Sequence, residues 1–308
     1  MFNISNPLRK KTKKQERLSL TQYQMIQRGR LLSVKLFPSR PHEHANELKE
    51  LIVQKIDHAE PFSIVRLGDG EGRILAYPEY LHEDTMKSEV LLYQFGKQVK
   101  PALRRKFGRS WVKESIAILS EHMNIAISSA DVIGAPSHLH HSKPLSTSNL
   151  NARLANSVAI EFANKSAIEH PNKQIFDVFI FRAFQKQGLF FDVLNNLDFL
   201  GVISHTDNSS ILMKTFQIKQ CKHIKIPGHQ TFMKSKKLHF PTEYKTVIDQ
   251  ISVPYKGAVF LVAAGYLGKL YCHEIKLRGG IALDIGSVFD SWTGLGRLDA
   301  IKDESMRL

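Results

Sequence analysis

The sequence predicts an α/β, Rossmann-like fold with a mostly parallel sheet and helices on both faces. Three observations predict it. Short apolar runs of strand length recur along the chain, most of them separated by segments long enough for a helix. The runs are continuously apolar rather than alternating, as in strands covered on both faces. The first of them ends in a glycine-rich acidic turn, Gly68-Asp69-Gly70-Glu71-Gly72. In open α/β sheets such strand ends are where ligands bind.

Taken in order, residues 1–16 read as a fraying arm carrying Arg9, Lys10, Lys11, Lys13 and Lys14. Leu18 to Phe37 has helical character, with Gln and Arg between apolar positions. Pro38 and Pro41 punctuate the chain, which divides it into a basic N-terminal extension, 1–42, partly disordered or helical, and a main domain, 43–308. Between His44 and Ala59, Leu48, Ile52 and Ile56 recur every four residues, one face of an amphipathic helix. Phe62 to Leu67 is the first strand. Further strand-length runs are Asn124 to Ser128, Ile175 to Phe181, Phe199 to Ser204, His223 to Ile226, Ala258 to Ala263 and Ile281 to Ile285. Asn151 to Glu169 and Leu267 to Arg278 are long enough to be helices, and Lys143 to Asn149 reads as a loop.

The 308 residues suit one large domain or two small ones, and the 43% hydrophobic and 23% charged fractions exclude wholesale disorder, collagen repeats and coiled-coil rods. Cys221 and Cys272 cannot build a disulfide framework or a four-thiolate zinc site. The longest apolar run, Ala258 to Ala264, is far short of the roughly 20 residues that span a bilayer. No apolar segment follows the basic N-terminus in the manner of a signal peptide, so the expectation is a cytoplasmic protein, peripheral at most on the inner face of a membrane. The formal charge is +14. Residues 1–40 hold ten basic residues and one acid, Glu16, so that segment carries +9 and the rest +5. Such an arm suits anionic lipid headgroups or nucleic acid, or stays solvated. Nucleic acid is not expected, because basic and aromatic residues do not interleave and no nucleic-acid motif is present.

Asp69 and Glu71 carry the chemistry. In an extended turn, residues two apart point to the same side, and two carboxylates at a strand end suit Mn²⁺ or Mg²⁺, whose shells phosphate oxygens and water complete. The competing reading is a Gly-Asp-Gly turn chosen for geometry, with Glu71 capping the next helix. The spacing fits neither the dinucleotide fingerprint nor an EF-hand.

Phe62 to Tyr77 (FSIVRLGDGEGRILAY) resembles the glycosyltransferases of the GT-D fold, bacterial enzymes whose metal-binding D-x-E follows a strand ending R-[FL]-G. Here the match is Arg66-Leu67-Gly68-Asp69-Gly70-Glu71. Ala130 to Pro136, Gly201 to Ser204, Ile224 to Pro227 and Val259 to Asp290 resemble further segments of that family, in the family's order, over roughly residues 45–292. Two departures stand out. Ala264 to Lys269 replaces a Gly-Pro-Thr-like turn, and Ser287 stands where the family often has His.

The resemblance implies a transferase using a nucleotide-diphosphate sugar, a UDP-sugar in the first instance, and a glycan or lipid-linked glycan acceptor in surface-polysaccharide or glycoprotein glycan assembly. Asp69 and Glu71 would hold the metal and Arg66 would brace their turn. Gly68, Gly70, Ser204, His205, Gly265 and Lys269 would meet substrate, and Asp284 or Asp290 would serve as base. The basic arm lies outside the resemblance, and its +9 charge suits peripheral attachment to an anionic inner leaflet. A non-catalytic module binding an anionic partner, or another Rossmann-like enzyme such as a methyltransferase, are the alternatives.

Several residues have competing readings. The turn Ala264 to Lys269 can cradle a phosphate or simply allow close strand–helix packing, and it is not a P-loop. Asp284 can equally cap the turn at Gly286, and Asp207 reads as a helix cap. His138, His140 and His141 lack the partners of a zinc site. Trp111 and Trp292 read as packing residues, with Trp292 also able to stack on a sugar or base.

Overall fold

The structure, a computed structural model, describes residues 19–37, 41–76, 114, 116–137, 150–228 and 239–292. Its centre is a seven-stranded sheet: β1 (Phe62–Arg66), β2 (Val132–Ala135), β3 (Gln174–Asp177), β4 (Phe199–Ser204), β5 (Gln220–Lys225), β6 (Val259–Val262) and β7 (Ile281–Asp284). Their order across the sheet is β3-β2-β1-β7-β6-β4-β5. Every pairing is parallel, with Ile64 opposite Val132 on one side and Leu283 on the other. The parallel α/β class read from the sequence is the one observed.

The helices are α1 (Leu20–Leu36), α2 (Ala45–Asp57), α3 (Asp69–Leu75), α4 (residues 116–129), α5 (Leu150–Glu169), α6 (Ile180–Gln187), α7 (Leu189–Leu194), α8 (Ser209–Phe216), α9 (Tyr244–Gln250), α10 (Leu267–Leu277) and α11 (Ser287–Trp292). Successive strand residues feed opposite cores. Val65 and Leu67 pack with α1, α3, α4, α5, α9 and α10, while Phe62 and Ile64 pack with α2, α6, α7, α8 and α11. That explains the uninterrupted apolar runs, since both sides of each pleat are buried.

Several elements differ from expectation. Asn124 to Ser128 is not a strand but the end of α4. Ile116, Leu119, Met123 and Ile127 recur every three or four residues and are buried, a helical period that a five-residue window does not reveal. The neighbouring strand is instead β2, only four residues long. The run Ile175 to Phe181 is split: the Asp177 carboxylate accepts the Phe179 amide at 2.6 Å, turning the chain so that α6 begins at Ile180. The β5 edge strand starts at Gln220, its first residues being polar and partly exposed. The loop Lys143 to Asn149, the His138–His141 cluster and Trp111 lie outside the described residues.

α1 packs on α5, with Met25, Ile26 and Phe37 in the core and Gly29 against Ser157. Among the described residues no helix is long and apolar enough to cross a membrane.

Candidate active site

The carboxyl ends of the strands define one edge of the sheet. The chain leaves β4 outward toward β5 but leaves β6 in the opposite direction toward β7. Such a reversal opens a crevice between two strand ends, the usual ligand position in this architecture. Here it lies between Ser204-His205 and Ala263-Ala264-Gly265. The turns after β1 and β7 complete the same edge.

The turn after β1 is not extended. Asp69 and Glu71 lie in the first turn of α3. Residues two apart on a helix do not face each other, so the expected convergence of the two carboxylates is absent, and the reason is this helical start. Glu71 turns inward. Its Oε2 accepts the Gly68 amide at 2.8 Å, capping α3, and its Oε1 lies 2.5 Å from Lys269 Nζ on α10. Asp69 turns outward and its side chain is 42% exposed. Its Oδ2 accepts from the Arg73 guanidinium at 3.2 Å, and its Oδ1 has no partner among the described residues.

Lys269 sits at the centre of a buried charge cluster and its side chain is only 3% exposed. Besides Glu71, Nζ reaches Asp284 Oδ2 and the Gly265 carbonyl, each at 3.0 Å. An ammonium has three N–H donors, and all three are committed within the protein. Lys269 therefore is not presented to a substrate phosphate as expected. It ties together the turns after β1, β6 and β7. Burial pulls the ammonium toward the neutral form, but the Asp284 and Glu71 carboxylates outweigh it and raise its pKa. Burial likewise pushes the Glu71 carboxyl up, but Lys269 and the backbone hydrogen bonds outweigh it and hold it below its ordinary value. Both groups are charged.

Asp284 is 1% exposed at its side chain. Its Oδ2 also accepts the Arg66 amide at 3.1 Å, and Oδ1 faces Arg66 Nε at 3.8 Å. A carboxylate so enclosed cannot reach an acceptor hydroxyl, so the role expected of Asp284 as base gives way to a positioning role. The Arg66 side chain reaches a different turn from the one expected: its Nη1 donates to the Val178 carbonyl at 3.0 Å, and its guanidinium fills the space beside Gly286 in the turn after β7. Gly286 has φ +52°, and a Cβ there would lie 1.5 Å from Arg66 Nη2. The turn after β7 thus needs glycine for both conformation and room.

At the other side of the edge, His205 Nδ1 lies 3.8 Å from Asp290 Oδ1 on α11. Burial, then His223, keeps the His205 pKa below its ordinary value, so the ring is neutral. Ser204 is buried. Its hydroxyl donates to the Thr206 carbonyl at 2.6 Å, which leaves it closing its own turn rather than touching a ligand. Asp207 accepts the Ser209 amide at 2.9 Å from one residue before the N-cap of α8, which is Asn208 rather than Asp207. Gly70 forms part of the first turn of α3, and Gly265 occupies its turn with φ +56°. Trp292 is buried against Phe190 and donates its indole N–H to Gln185 at 2.6 Å, so it is a core residue rather than a stacking platform. The partners of Lys269 were not foreseen. Their sequence signal was the strand-end position shared by Glu71 and Asp284.

Among the described residues there is no cluster of three or more His, Cys, Asp or Glu arranged to hold a metal ion. Glu71 has both oxygens engaged, so the two-carboxylate chelate does not fit. A single-carboxylate site does fit: Asp69 offers an open oxygen, and Mg²⁺ is commonly bound through one carboxylate plus substrate phosphates and water.

The family model of the GT-D fold-like domain matches residues 43–292. The chain belongs to this GT-D-like family. Two solved structures of domain of unknown function 1792 are similar to it. One is a selenomethionine-substituted form and the other is described as having a distinct glycosyltransferase fold. Each is 15% identical, with 93% of this chain and 94% of the other covered and a TM-score of 0.49. A third, described as a new glycosyltransferase from Streptococcus sanguinis, is 13% identical, with 84% and 92% covered and a TM-score of 0.43. No curated protein sequence matches the chain.

Proposed function

We propose that this protein transfers a sugar from a nucleotide-diphosphate sugar, a UDP-sugar in the first instance, to a glycan or lipid-linked glycan acceptor in surface-polysaccharide or glycoprotein glycan assembly. The observation that carries the reading is the family match, which spans every strand from β1 to β7. The donor lies along the carboxyl edge of the sheet, with its diphosphate between the Gly68-Asp69 turn and the N-terminus of α10, where helix amides attract anions.

Asp69 would hold Mn²⁺ or Mg²⁺. When bound there, the ion would supply Lewis-acid neutralisation of the charge on the leaving group. Glu71, Lys269, Asp284 and Arg66 fix the geometry of this edge without touching the reacting atoms. The Asp290–His205 pair takes the proton of the acceptor hydroxyl as its oxygen bonds to the anomeric carbon. The sugar–phosphate bond breaks and the nucleoside diphosphate leaves. A neutral imidazole beside a carboxylate suits general-base work near neutral pH.

A panel of nucleotide sugars, assayed for nucleoside-diphosphate release with and without each metal, tests the proposal. Release from at least one donor is expected. Indifference to every nucleotide sugar, with thermal stabilisation by S-adenosylmethionine instead, would replace it with the methyltransferase alternative.

A further inference from the structure

α1 precedes the matched family region and is apolar on two sides. Its inner side, Met25, Ile26, Gly29 and Ser33, is buried. Its outer side is not: Leu20 is 73% and Leu31 72% exposed, and Tyr23 and Val34 are exposed as well. At about 100° per residue, Tyr23, Val34, Leu20 and Leu31 fall within an arc of about 80°, with Gln27 among them. Arg30 borders this arc on one side. Lys35 and Arg28 border it on the other, Arg28 also reaching back to Glu161 on α5. α1 contains no acidic residue, and residues 1–18, which lead into it, hold six basic residues and one acid.

An apolar stripe edged by cations on both sides is the pattern of a helix lying in the plane of a bilayer. Apolar side chains enter the headgroup boundary while Arg and Lys meet anionic lipid. The charge complementarity selects this occupant. A second copy of α1 would set its own cations against like charge. We propose that the outer face of α1 is a docking surface for an anionic membrane. This goes beyond glycosyl transfer and does not depend on it. The inner face of α1 is anchored to α5, so the stripe is presented on a fixed element.

The experiment is vesicle co-sedimentation of the full chain with phosphatidylcholine vesicles and with vesicles rich in phosphatidylglycerol. Binding is expected to the anionic vesicles, at least about tenfold tighter than to the neutral ones. Leu20→Ser/Leu31→Ser/Val34→Ser should weaken it at least about tenfold with unchanged Tm, because these side chains contact solvent. Arg30→Gln/Lys35→Gln should weaken anionic binding alone. Unchanged binding by the triple serine variant overturns the proposal, as does equal affinity of the wild type for both vesicle types. So does a wild-type dimer that the serine variant converts to monomer without any vesicle binding. Nucleoside-diphosphate release by the serine variant in detergent-free buffer is expected to match wild type, which separates failure of this surface from failure of the transferase reading.

Discussion

Lys269 and Glu71 form a buried ion pair, with Nζ 2.5 Å from Oε1, that joins the start of α10 to the start of α3 across the carboxyl edge of the sheet. Through Asp284 the same ammonium also holds the turn after β7. The pair fixes where Asp69 stands, because Glu71 is bonded to the N-terminal amide of the short helix that carries Asp69.

Lys269→Met leaves two buried carboxylates without their cation and is expected to cost about 3–5 kcal/mol. Glu71→Gln keeps an amide oxygen for Gly68 and should cost less. The double variant should cost less than the sum of the two, with a coupling of about 0.5–3 kcal/mol, measured by urea denaturation. Additive losses would mean that the pair does not interact.

The same pair sets a pH window. The Glu71 carboxyl sits below its ordinary value of 4.5, so its stabilisation is present above pH 4.5 and is lost as pH falls through the folded value. Lys269 sits above 10.5, so its stabilisation is present below pH 10.5 and is lost as pH rises through the folded value. Thermal unfolding across pH should show Glu71→Gln flattening the acid limb.

His239 should govern the milder acid range. It is half-buried by surface exposure, its Nε2 lies 2.7 Å from the Tyr271 hydroxyl, and the desolvation of its ring lowers its pKa from 6.5 to about 3. The unfolded chain therefore binds a proton that the folded chain does not. Stability should fall below pH 6.5 by up to about 1.4 kcal/mol per pH unit. His239→Gln should remove that slope, as read by denaturant midpoints between neutral and mildly acid pH. A wild-type midpoint flat across this range would contradict the neutral, desolvated ring.

Gly72 offers a packing test. A Cβ there would lie 1.9 Å from the Ala155 carbonyl oxygen on α5, a backbone atom that cannot swing aside. Gly72→Ala should push α3 off α5 and destabilise by about 1–3 kcal/mol. It should also displace Asp69, raising the metal concentration needed for turnover. Wild-type stability would show that the two helices are not in close contact.

Asp290→Asn should lower turnover about 100-fold or more and shift its pH profile, as loss of a base does. Asp284→Asn should lower Tm first, since its carboxylate bonds Arg66 and Lys269. If Asp290→Asn keeps wild-type turnover, the base lies elsewhere.

Much of the sheet was legible because its strands are buried on both faces: Phe199 to Ser204 was read at its observed limits, and β1, β6 and β7 to within one residue at each end. Asn124 to Ser128 was misread because five apolar-rich residues fit either period, and only the spacing back to Ile116 reveals a helix. The site was legible as positions rather than as geometry. Asp69, Glu71, Lys269 and Asp284 were each singled out, but local spacing does not tell which carboxylate faces outward. That depends on β1 ending at Arg66 and Gly68 capping α3 directly before Asp69, and on a lysine nearly 200 residues away reaching Glu71. The capping alternative for Glu71 is the one the structure adopts.

The most direct test is calorimetric titration of UDP into wild type, Asp69→Asn and Glu71→Gln, each with and without manganese. In the wild type, manganese should tighten UDP binding and UDP should tighten manganese binding by the same factor, since linkage is reciprocal. Asp69→Asn should abolish that coupling at wild-type Tm. Glu71→Gln should lower Tm while retaining the coupling. Wild-type UDP affinity indifferent to both manganese and magnesium would contradict the metal-assisted transferase account. Loss of coupling in Glu71→Gln at unchanged Tm would contradict the assignment of Asp69 as the carboxylate that holds the ion.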